Sequence, residues 1–181
     1  MDTVEYRSLQ ANDIRRALFA HFTRRQDVTE CWRKVGGEWR IQNAPFIDDW
    51  SETDYGVLVA CLQNTIQTGG FVMGAFLGGV LKGFVSVEAE PLGSRGQYRA
   101  LSSLHVSREL RGQGLGRRLF TAARCWAGQQ GAEKLYISSH SAVETQSFYR
   151  AMGCVEAKEY DENHAKAEPF DCQLECCVER P

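Results

Sequence analysis

The sequence predicts a mixed-sheet domain of the α/β or α+β class. Three observations support this prediction. Two apolar runs, 71–77 and 80–88, flank Gly78-Gly79, which is a two-residue hairpin signal. A strand pattern at 100–106 leads through a glycine-rich turn into a helical pattern that ends near residue 129. The order of helices, hairpin, strand–helix–strand–helix and closing strand is typical of this class. With 181 residues, we expect a single domain over 1–181.

The N-terminal part predicts one strand and two helices. The run 4–9 is the strand, and the first helix begins at Asn12-Asp13 with apolar residues at helical spacing up to residue 22. Residues 24–50 contain two adjacent glycines, a proline and three tryptophans, and we expect irregular structure there. The second helix begins at Ser51 and ends at Gly69-Gly70.

The C-terminal part alternates strands and helices. The pattern predicts a loop at 89–97, a strand at 100–106, a helix at 116–129, a strand at 135–137, a helix at 142–152, a loop at 156–168 and a closing strand at 172–178. Gly153 is expected to end the last helix.

Composition excludes several classes of function. A net charge of −2 argues against a general nucleic-acid binder, and no apolar run is long enough to span a membrane. The polar, acidic first residues do not resemble a signal peptide, and the seven scattered cysteines indicate reduced thiols. We therefore expect a cytoplasmic protein. Cys172 and Cys176 would share one face of the last strand with no histidine at ligand spacing, so we expect packing and no metal.

The most informative segment is Arg111-Gly112-Gln113-Gly114-Leu115-Gly116, called the glycine loop below. Glycines between a strand and a helix let backbone N–H groups approach a ligand, and the helix N-terminus favours a phosphate. A dinucleotide fingerprint would need a third glycine where Arg117 stands, and a P-loop would need Gly-Lys, which is missing. A structural turn without a ligand is the alternative.

Arg-x-x-Gly-x-Gly is similar to the pyrophosphate loop of the GNAT superfamily of acyl-CoA N-acyltransferases. The segments 81–87 and 104–106 and the Phe148-Tyr149 pair, followed by Gly153, resemble the same family in the same order. Two positions depart from its pattern. Ala142 stands where many members have an asparagine, and Cys154 stands where an aromatic residue is usual.

The resemblance implies a mostly antiparallel central sheet with a splayed parallel strand pair and flanking helices. It also implies acetyl-CoA as co-substrate, with the pantetheine arm between the strands that end near residues 106 and 137. The backbone of Leu104, His105 and Val106 would bind the arm, and the loop from Arg111 through Gly112, Gln113, Gly114, Leu115 and Gly116 to Arg117 would bind the pyrophosphate. Arg118 is a further expected contact, and the contact of the missing asparagine is either lost or supplied by Ser141 or Gln146.

Transfer needs a proton donor for the departing thiolate and a neutral amine. Tyr149 occupies the family's general-acid position, and a phenol pKa of about 10 against about 8.5 for a thiol suits that step. Packing in the core is the alternative role for Tyr149. Glu88 and His140 are candidate bases, as is His105, unless strand parity turns it into the core; water is the alternative to all three.

The predicted function is therefore an N-acetyltransferase that moves an acetyl group from acetyl-CoA directly to a primary amine, expected to be a small molecule. The alternatives are acetylation of peptide N-termini or lysines, and a non-catalytic acyl-CoA-binding module. Asp48, Asp49, Glu52 and Asp54 would either attract a cationic amine or serve as helix caps and solvated surface. Dimers occur in the family, so a homodimer is compatible with the resemblance.

Overall fold

The computed structural model describes residues 3–178, and its centre is a seven-stranded sheet. The strands are β1 (Glu5–Ser8), β2 (Arg25–Val35), β3 (Glu38–Asp49), β4 (Phe71–Leu77), β5 (Val80–Leu92), β6 (Tyr98–Val106), β7 (Lys134–Ser139), β8 (Val155–Glu156) and β9 (Cys172–Cys177). The helices are α1 (Glu52–Gln67), α2 (Leu115–Gln129), α3 (Val143–Ala151) and α4 (Glu162–Ala167). None of the described helices is long and apolar enough to cross a membrane.

The large sheet has the strand order β1-β4-β5-β6-β7-β9-β8, and β2 and β3 form a separate antiparallel pair. Every neighbouring pair in the large sheet is antiparallel except β6 and β7, which are parallel. This arrangement confirms the predicted class, a mixed and mostly antiparallel sheet with one parallel pair and flanking helices.

The parallel pair separates along its length. β6 and β7 pair over Tyr98–Lys134, Arg99–Leu135 and Ala100–Tyr136, and no pairing follows beyond that register. β6 continues to Val106 against β5 alone, so its β7-facing edge is open from Leu101 onward. The sheet therefore has a gap between the carboxyl ends of two neighbouring strands.

The helices cover opposite faces of the sheet. On one face, α2 buries Leu119, Phe120 and Ala123 against inward-facing side chains such as Val85 and Leu135. On the other face, Leu58 and Leu62 of α1 pack with three phenylalanines, Phe19, Phe22 and Phe84. Burial of these side chains, at about 25 cal/mol per Å² of apolar surface, holds the layers together.

Several predicted elements are confirmed. Ser51 begins α1 with a capping box, in which its backbone N–H donates to Asp54 Oδ2 at 2.7 Å. The turn at Gly78-Gly79 joins β4 to β5, with both glycines at positive φ. Cys172 and Cys176 lie buried on one face of β9, while Cys177 is exposed.

The predicted helix over 12–22 is wrong. Two short 3-10 segments, Ala11–Asp13 and Arg16–Phe19, occupy this stretch, and Ile14 between them is extended. The Ile14 carbonyl accepts a hydrogen bond from Gln63 Nε2 of α1 at 2.8 Å, and the Ile14 side chain is fully buried. Tertiary packing of Ile14 against α1 thus overrides the local helical pattern.

The prediction of irregular structure at 24–50 is also wrong. β2 and β3 form a long hairpin around Gly36-Gly37, whose φ angles are +59° and +85°. Only Val28 and Cys31 of this pair are buried, so the strands lack the apolar alternation by which strands are recognised. Two smaller predictions are wrong as well, because β5 extends through the expected loop at 89–92 and α4 lies within the expected loop at 156–168.

Candidate active site

The gap between β6 and β7 opens into a cleft of about 860 Å³. Its walls are β6 from Leu101 to Val106, the end of β7, the start of α2, one side of α3, and the start of β2. Strand edges without a partner leave backbone N–H and C=O groups free to form hydrogen bonds. An extended ligand can pair with such an edge as an additional strand would.

The glycine loop lies at one end of this cleft. Gly112 and Gly114 have φ angles of +76° and +85°, and a side chain at either position would meet nothing within 4 Å. Gly114 is the N-cap of α2, and the first backbone hydrogen bond there runs from Arg118 N to the Gly114 carbonyl at 3.2 Å. The N–H groups of Leu115, Gly116 and Arg117 precede that bond and lack helical partners, so this end of the cleft fits a phosphate group.

The arginines near the glycine loop differ in their surroundings. Arg111 donates from Nε to the Val106 carbonyl at 3.1 Å. The pKa of its guanidinium is lowered, mainly by burial and secondly by the positive charge of nearby Arg24. Arg117 lies in the cleft wall, whereas the Arg118 guanidinium lies 4.8 Å from the Tyr6 ring centre. Of the predicted loop residues, Gln113 is exposed and donates to the Glu109 carbonyl, outside the cleft wall.

Tyr149 lies in the cleft wall on α3, as the proposed proton donor would require. Its side chain is 7% exposed and packs against the rings of Phe120 and Phe148. Burial raises the pKa of the phenol, and Cys154 and Asp171 raise it further. The hydroxyl therefore stays protonated at neutral pH, which is the form that can donate.

The two histidines of the cleft wall are both held neutral by burial. His105 packs between Trp50 and Phe84, and burial with nearby Arg24 and Arg111 lowers its pKa well below the usual value. The pKa of His140 is also lowered, mainly by burial. His140 Nδ1 accepts the Ala142 N–H at 3.0 Å, so the lone pair of the neutral ring is occupied and the remaining ring nitrogen carries the proton.

Glu88 lies on the α1 side of β5 and is not part of the cleft wall. Its Oε1 accepts hydrogen bonds from Thr65 at 2.8 Å and from Ser102 at 2.5 Å. Ser102 does line the cleft, so Glu88 reaches the cleft only through that hydroxyl. Its role as a base stays a prediction.

Ser141 and Gln146 are buried behind the cleft wall. Ser141 Oγ accepts from Arg33 at 2.5 Å, and Gln146 Nε2 donates to the His140 carbonyl at 2.8 Å. The structure does not bring either side chain into the cleft, and their predicted contact with the cofactor stays a prediction.

Sequence reasoning missed the hairpin segment, residues 24–50, as a wall of the cleft. Thr23 N donates to Ser107 Oγ at 2.9 Å at the end of β6, and Trp32 N donates to the Ser141 carbonyl at 2.8 Å after the end of β7. Gln26 Nε2 also donates to Thr145 of α3 at 3.3 Å. β2 and Thr23 just before it thus connect the two sides of the gap, and the Gly36-Gly37 turn is the signal in the sequence that could have revealed the hairpin.

The acidic residues around the hairpin segment are neutralised locally. Asp48 pairs with Arg24, Asp49 lies 3.6 Å from Arg25, and Glu52 lies 2.5 Å from Arg16. Asp54 caps α1. The solvated or capping interpretation of this cluster therefore fits the structure better than an open acidic wall. No group of three or more metal-binding side chains occurs among residues 3–178.

Comparisons with known proteins agree with this geometry. The family model described as Acetyltransferase (GNAT) family matches residues 37–154, and a search of curated proteins finds no significant match. Among solved structures, a protein from Bacillus anthracis assigned as a streptothricin acetyltransferase, in complex with acetyl coenzyme A, has a TM-score of 0.74 at 16% identity, covering 98% of this chain and 99% of that one.

Two further structures share the fold. A nourseothricin acetyltransferase has a TM-score of 0.67 at 18% identity, covering 98% and 99% of the two chains. A PaiA N-acetyltransferase from Thermoplasma acidophilum, in complex with coenzyme A, has a TM-score of 0.61 at 17% identity, covering 97% and 99%. The family match confirms the resemblance carried by the glycine loop and Tyr149, and with it the enzyme class, an acyltransferase that uses acetyl-CoA. The chain belongs to the GNAT acetyltransferase family.

Proposed function

We propose that this protein transfers an acetyl group from acetyl-CoA to a primary amine of a small molecule, in the cleft between β6 and β7. The observation that carries the proposal is the presence of the glycine loop, the open edge of β6 and the protonated Tyr149 in one cleft. Acetyl-CoA supplies an activated thioester there. The loop from Arg111 to Arg117 would hold its phosphates, and the backbone of Leu104, His105 and Val106 would hold its extended arm.

The hairpin segment supports a small acceptor. A peptide substrate needs an open groove, but Thr23, just before β2, and Trp32 of β2 together connect the end of β6 to the start of α3. Streptothricin, nourseothricin and aminoglycosides, named for structural neighbours of this chain, are amine-bearing small molecules, in line with an enclosed acceptor.

Tyr149 would donate its proton to the departing sulfur. General acid catalysis of this kind contributes about 100-fold to 10,000-fold in rate, so Tyr149→Phe should lower kcat by at least about 100-fold. The affinity for acetyl-CoA should stay within about twofold, because the ring and its packing remain. Phe148→Leu is the control, since it alters the neighbouring ring and leaves the Tyr149 hydroxyl in place.

The test is a thiol-release assay with acetyl-CoA and a panel of amines: an aminoglycoside, a polyamine, free lysine and a short peptide. Calorimetric titration with acetyl-CoA, against ATP and NAD as controls, is run in parallel. Turnover of small amines that Tyr149→Phe abolishes would support the proposal. Turnover of the peptide alone would favour a peptide acetyltransferase. Acetyl-CoA binding without turnover of any amine would favour a non-catalytic module.

A further inference from the structure

We propose that Asp171, acting through the hydroxyl of Ser138, accepts the proton that the acceptor amine loses during transfer. Asp171 directly precedes β9, and Ser138 lies in β7 on the wall of the cleft. Asp171 is therefore a positioning and proton-accepting residue that reaches the cleft through one intervening hydroxyl. The inference rests on the proposed acetyl transfer to an amine.

Ser138 belongs to a continuous hydrogen-bond network. Its Oγ donates to Asp171 Oδ2 at 3.1 Å and accepts from Gln173 Nε2 at 3.0 Å. Gln173 is 2% exposed and is fixed by the Tyr136 hydroxyl, which donates to its Oε1 at 2.5 Å. A hydroxyl has one donor and two acceptor sites, so one lone pair of Ser138, a residue that lines the cleft, is left without a hydrogen-bond donor among the described residues. That lone pair can accept an amine N–H.

The position of Asp171 relative to Tyr149 favours this network. Ser138, which donates to Asp171, lines the same cleft as Tyr149, the residue proposed to protonate the sulfur, and Asp171 raises the pKa of the Tyr149 phenol. The attacked carbonyl carbon is bonded to that sulfur, which places the amine and the thioester beside the same tyrosine. Burial, with a contribution from Glu168, raises the pKa of Asp171, which makes it a better proton acceptor than an ordinary carboxylate.

The other candidate bases have weaker geometry. The lone pair of neutral His140 is occupied by the Ala142 N–H, and His105 is enclosed by the rings of Trp50 and Phe84. Glu88 reaches the cleft through Ser102 in the same way that Asp171 does through Ser138, but the same Oε1 also accepts a hydrogen bond from Thr65 of α1. Glu88 is therefore the competitor that the experiment must separate.

Acetyl transfer to the amine moves two protons. The amine nitrogen forms a bond to the carbonyl carbon while the carbon–sulfur bond breaks. Ser138 takes a proton from the nitrogen and passes its own to Asp171, and Tyr149 gives its proton to the sulfur. Afterwards Asp171 is neutral and Tyr149 is ionised, and exchange with solvent restores both.

The electrostatic surroundings of Asp171 come from several elements. The titratable and charged groups that act on it or on its neighbour Cys172 lie on five elements: Glu168 on the preceding segment, Tyr149 and Arg150 on α3, Cys172 in β9, Arg33 in β2 and Glu156 in β8. A carboxylate that must be ionised to accept a proton makes kcat fall as the pH falls through its pKa.

The experiment measures kcat against pH at saturating acetyl-CoA, with the best amine of the panel above. We compare wild type with Asp171→Asn, Ser138→Ala and Glu88→Gln. Glu162→Gln is the matched control, because Glu162 is an exposed acid on α4 whose partner is Lys166 at 2.8 Å. Asp171→Asn should lower kcat by about 100-fold and abolish the acidic limb of the profile, which is the fall of kcat at low pH. Ser138→Ala should lower kcat by a smaller factor and weaken the acidic limb. Acetyl-CoA affinity and the urea midpoint report whether the fold is intact.

The possible outcomes test the role of Asp171 separately from the proposed acetyl transfer. An acidic limb that Asp171→Asn removes and Glu88→Gln retains supports the inference. A limb that persists in Asp171→Asn, or that only Glu88→Gln removes, overturns it and leaves the proposed function standing. Loss of kcat in Asp171→Asn with an unchanged profile also overturns it, since a structural role alone would give that result. Wild-type protein that binds acetyl-CoA but acetylates no amine overturns the proposed function itself.

Discussion

The glycine loop and the hairpin segment border the same cleft, but they are built in opposite ways. The glycine loop presents backbone, with Gly112 and Gly114 at positive φ and open space where side chains would stand. The hairpin segment is held by side chains from distant parts of the chain, such as Trp50 against His105 and Phe46 against His140. A backbone site is visible in a short stretch of sequence, whereas a side-chain site depends on contacts that only the fold creates.

The largest expected effect concerns the anchor of the hairpin segment. Arg24 is 8% exposed and pairs with Asp48, while its Nε and Nη1 meet no hydrogen-bond partner within the described residues. Asp48→Asn leaves this buried cation without its counter-ion, which should cost about 3 kcal/mol of unfolding free energy, measured by urea denaturation.

Asp49→Asn is the matched control for that variant. Asp49 lies 3.6 Å from Arg25, and both side chains of this pair are exposed. Loss of a surface pair should cost less than about 1 kcal/mol. Equal losses in the two variants would mean that side-chain burial does not hold the hairpin segment in place.

The same contrast explains what could be predicted from the sequence. The β4–β5 hairpin and the helices α1 and α2 follow from local patterns, namely apolar periodicity, the Ser51 cap and the Gly78-Gly79 turn, whereas the parallel pair was implied by the resemblance to the GNAT family. The wall formed by β2 could not be inferred in that way, because its strands bury only Val28 and Cys31 and are held by contacts such as Trp32 with Ser141.

The residues of the candidate site also fall into those that sequence spacing predicts and those that only the fold brings together. The glycine loop and Tyr149 were found by spacing, and both lie in the cleft. Asp171 and Ser138 are 33 positions apart in the chain and meet only through the pairing of β7 with β9. Ser141 and Gln146 lie near Ala142 in the sequence, where the family pattern has an asparagine, yet helix and loop geometry turns both side chains inward.

Two glycines with similar backbone strain test whether the glycine loop differs from an ordinary turn. Gly114 and Gly131 stand near opposite ends of α2 with φ angles of +85° and +77°, and neither would place a side chain within 4 Å of another atom. Alanine at either position should cost about 1–2 kcal/mol of stability. Only Gly114→Ala should weaken acetyl-CoA binding, by about tenfold, or about 1.4 kcal/mol. Calorimetric titration gives the affinities, and equal affinities would show that the loop is only a turn.

The pH dependence of stability tests the aromatic contacts of the hairpin segment. The pKa of His105 is lowered well below its usual value and that of His140 is also lowered, in each case mainly by burial. The unfolded chain therefore binds protons at a pH where the folded protein does not. Stability should fall as the pH falls below about 6.5, by at most about 1.4 kcal/mol per pH unit for each histidine.

Urea denaturation at a series of pH values checks this expectation. His105→Gln should flatten the decline between pH 6.5 and 5, and His21→Gln is the control because the side chain of His21 is exposed. A decline of wild-type steepness in His105→Gln would show that His140 or carboxylates, and not the ring beside Trp50, control acid stability.

The smallest expected effect is the loss of acetyl-CoA affinity when single arginine side chains next to the glycine loop are removed. Arg117 lies in the cleft wall, while the guanidinium of its neighbour Arg118 rests on Tyr6. An exposed charge contact contributes up to about 1 kcal/mol, so Arg117→Ala should weaken acetyl-CoA binding by roughly fivefold and Arg118→Ala by less than about twofold. Because salt screens exposed charges, the difference between the two variants should shrink when calorimetry is repeated at high ionic strength. Equal weakening in both variants would instead indicate a diffuse positive field around α2, in which the position of one arginine relative to the cleft is immaterial.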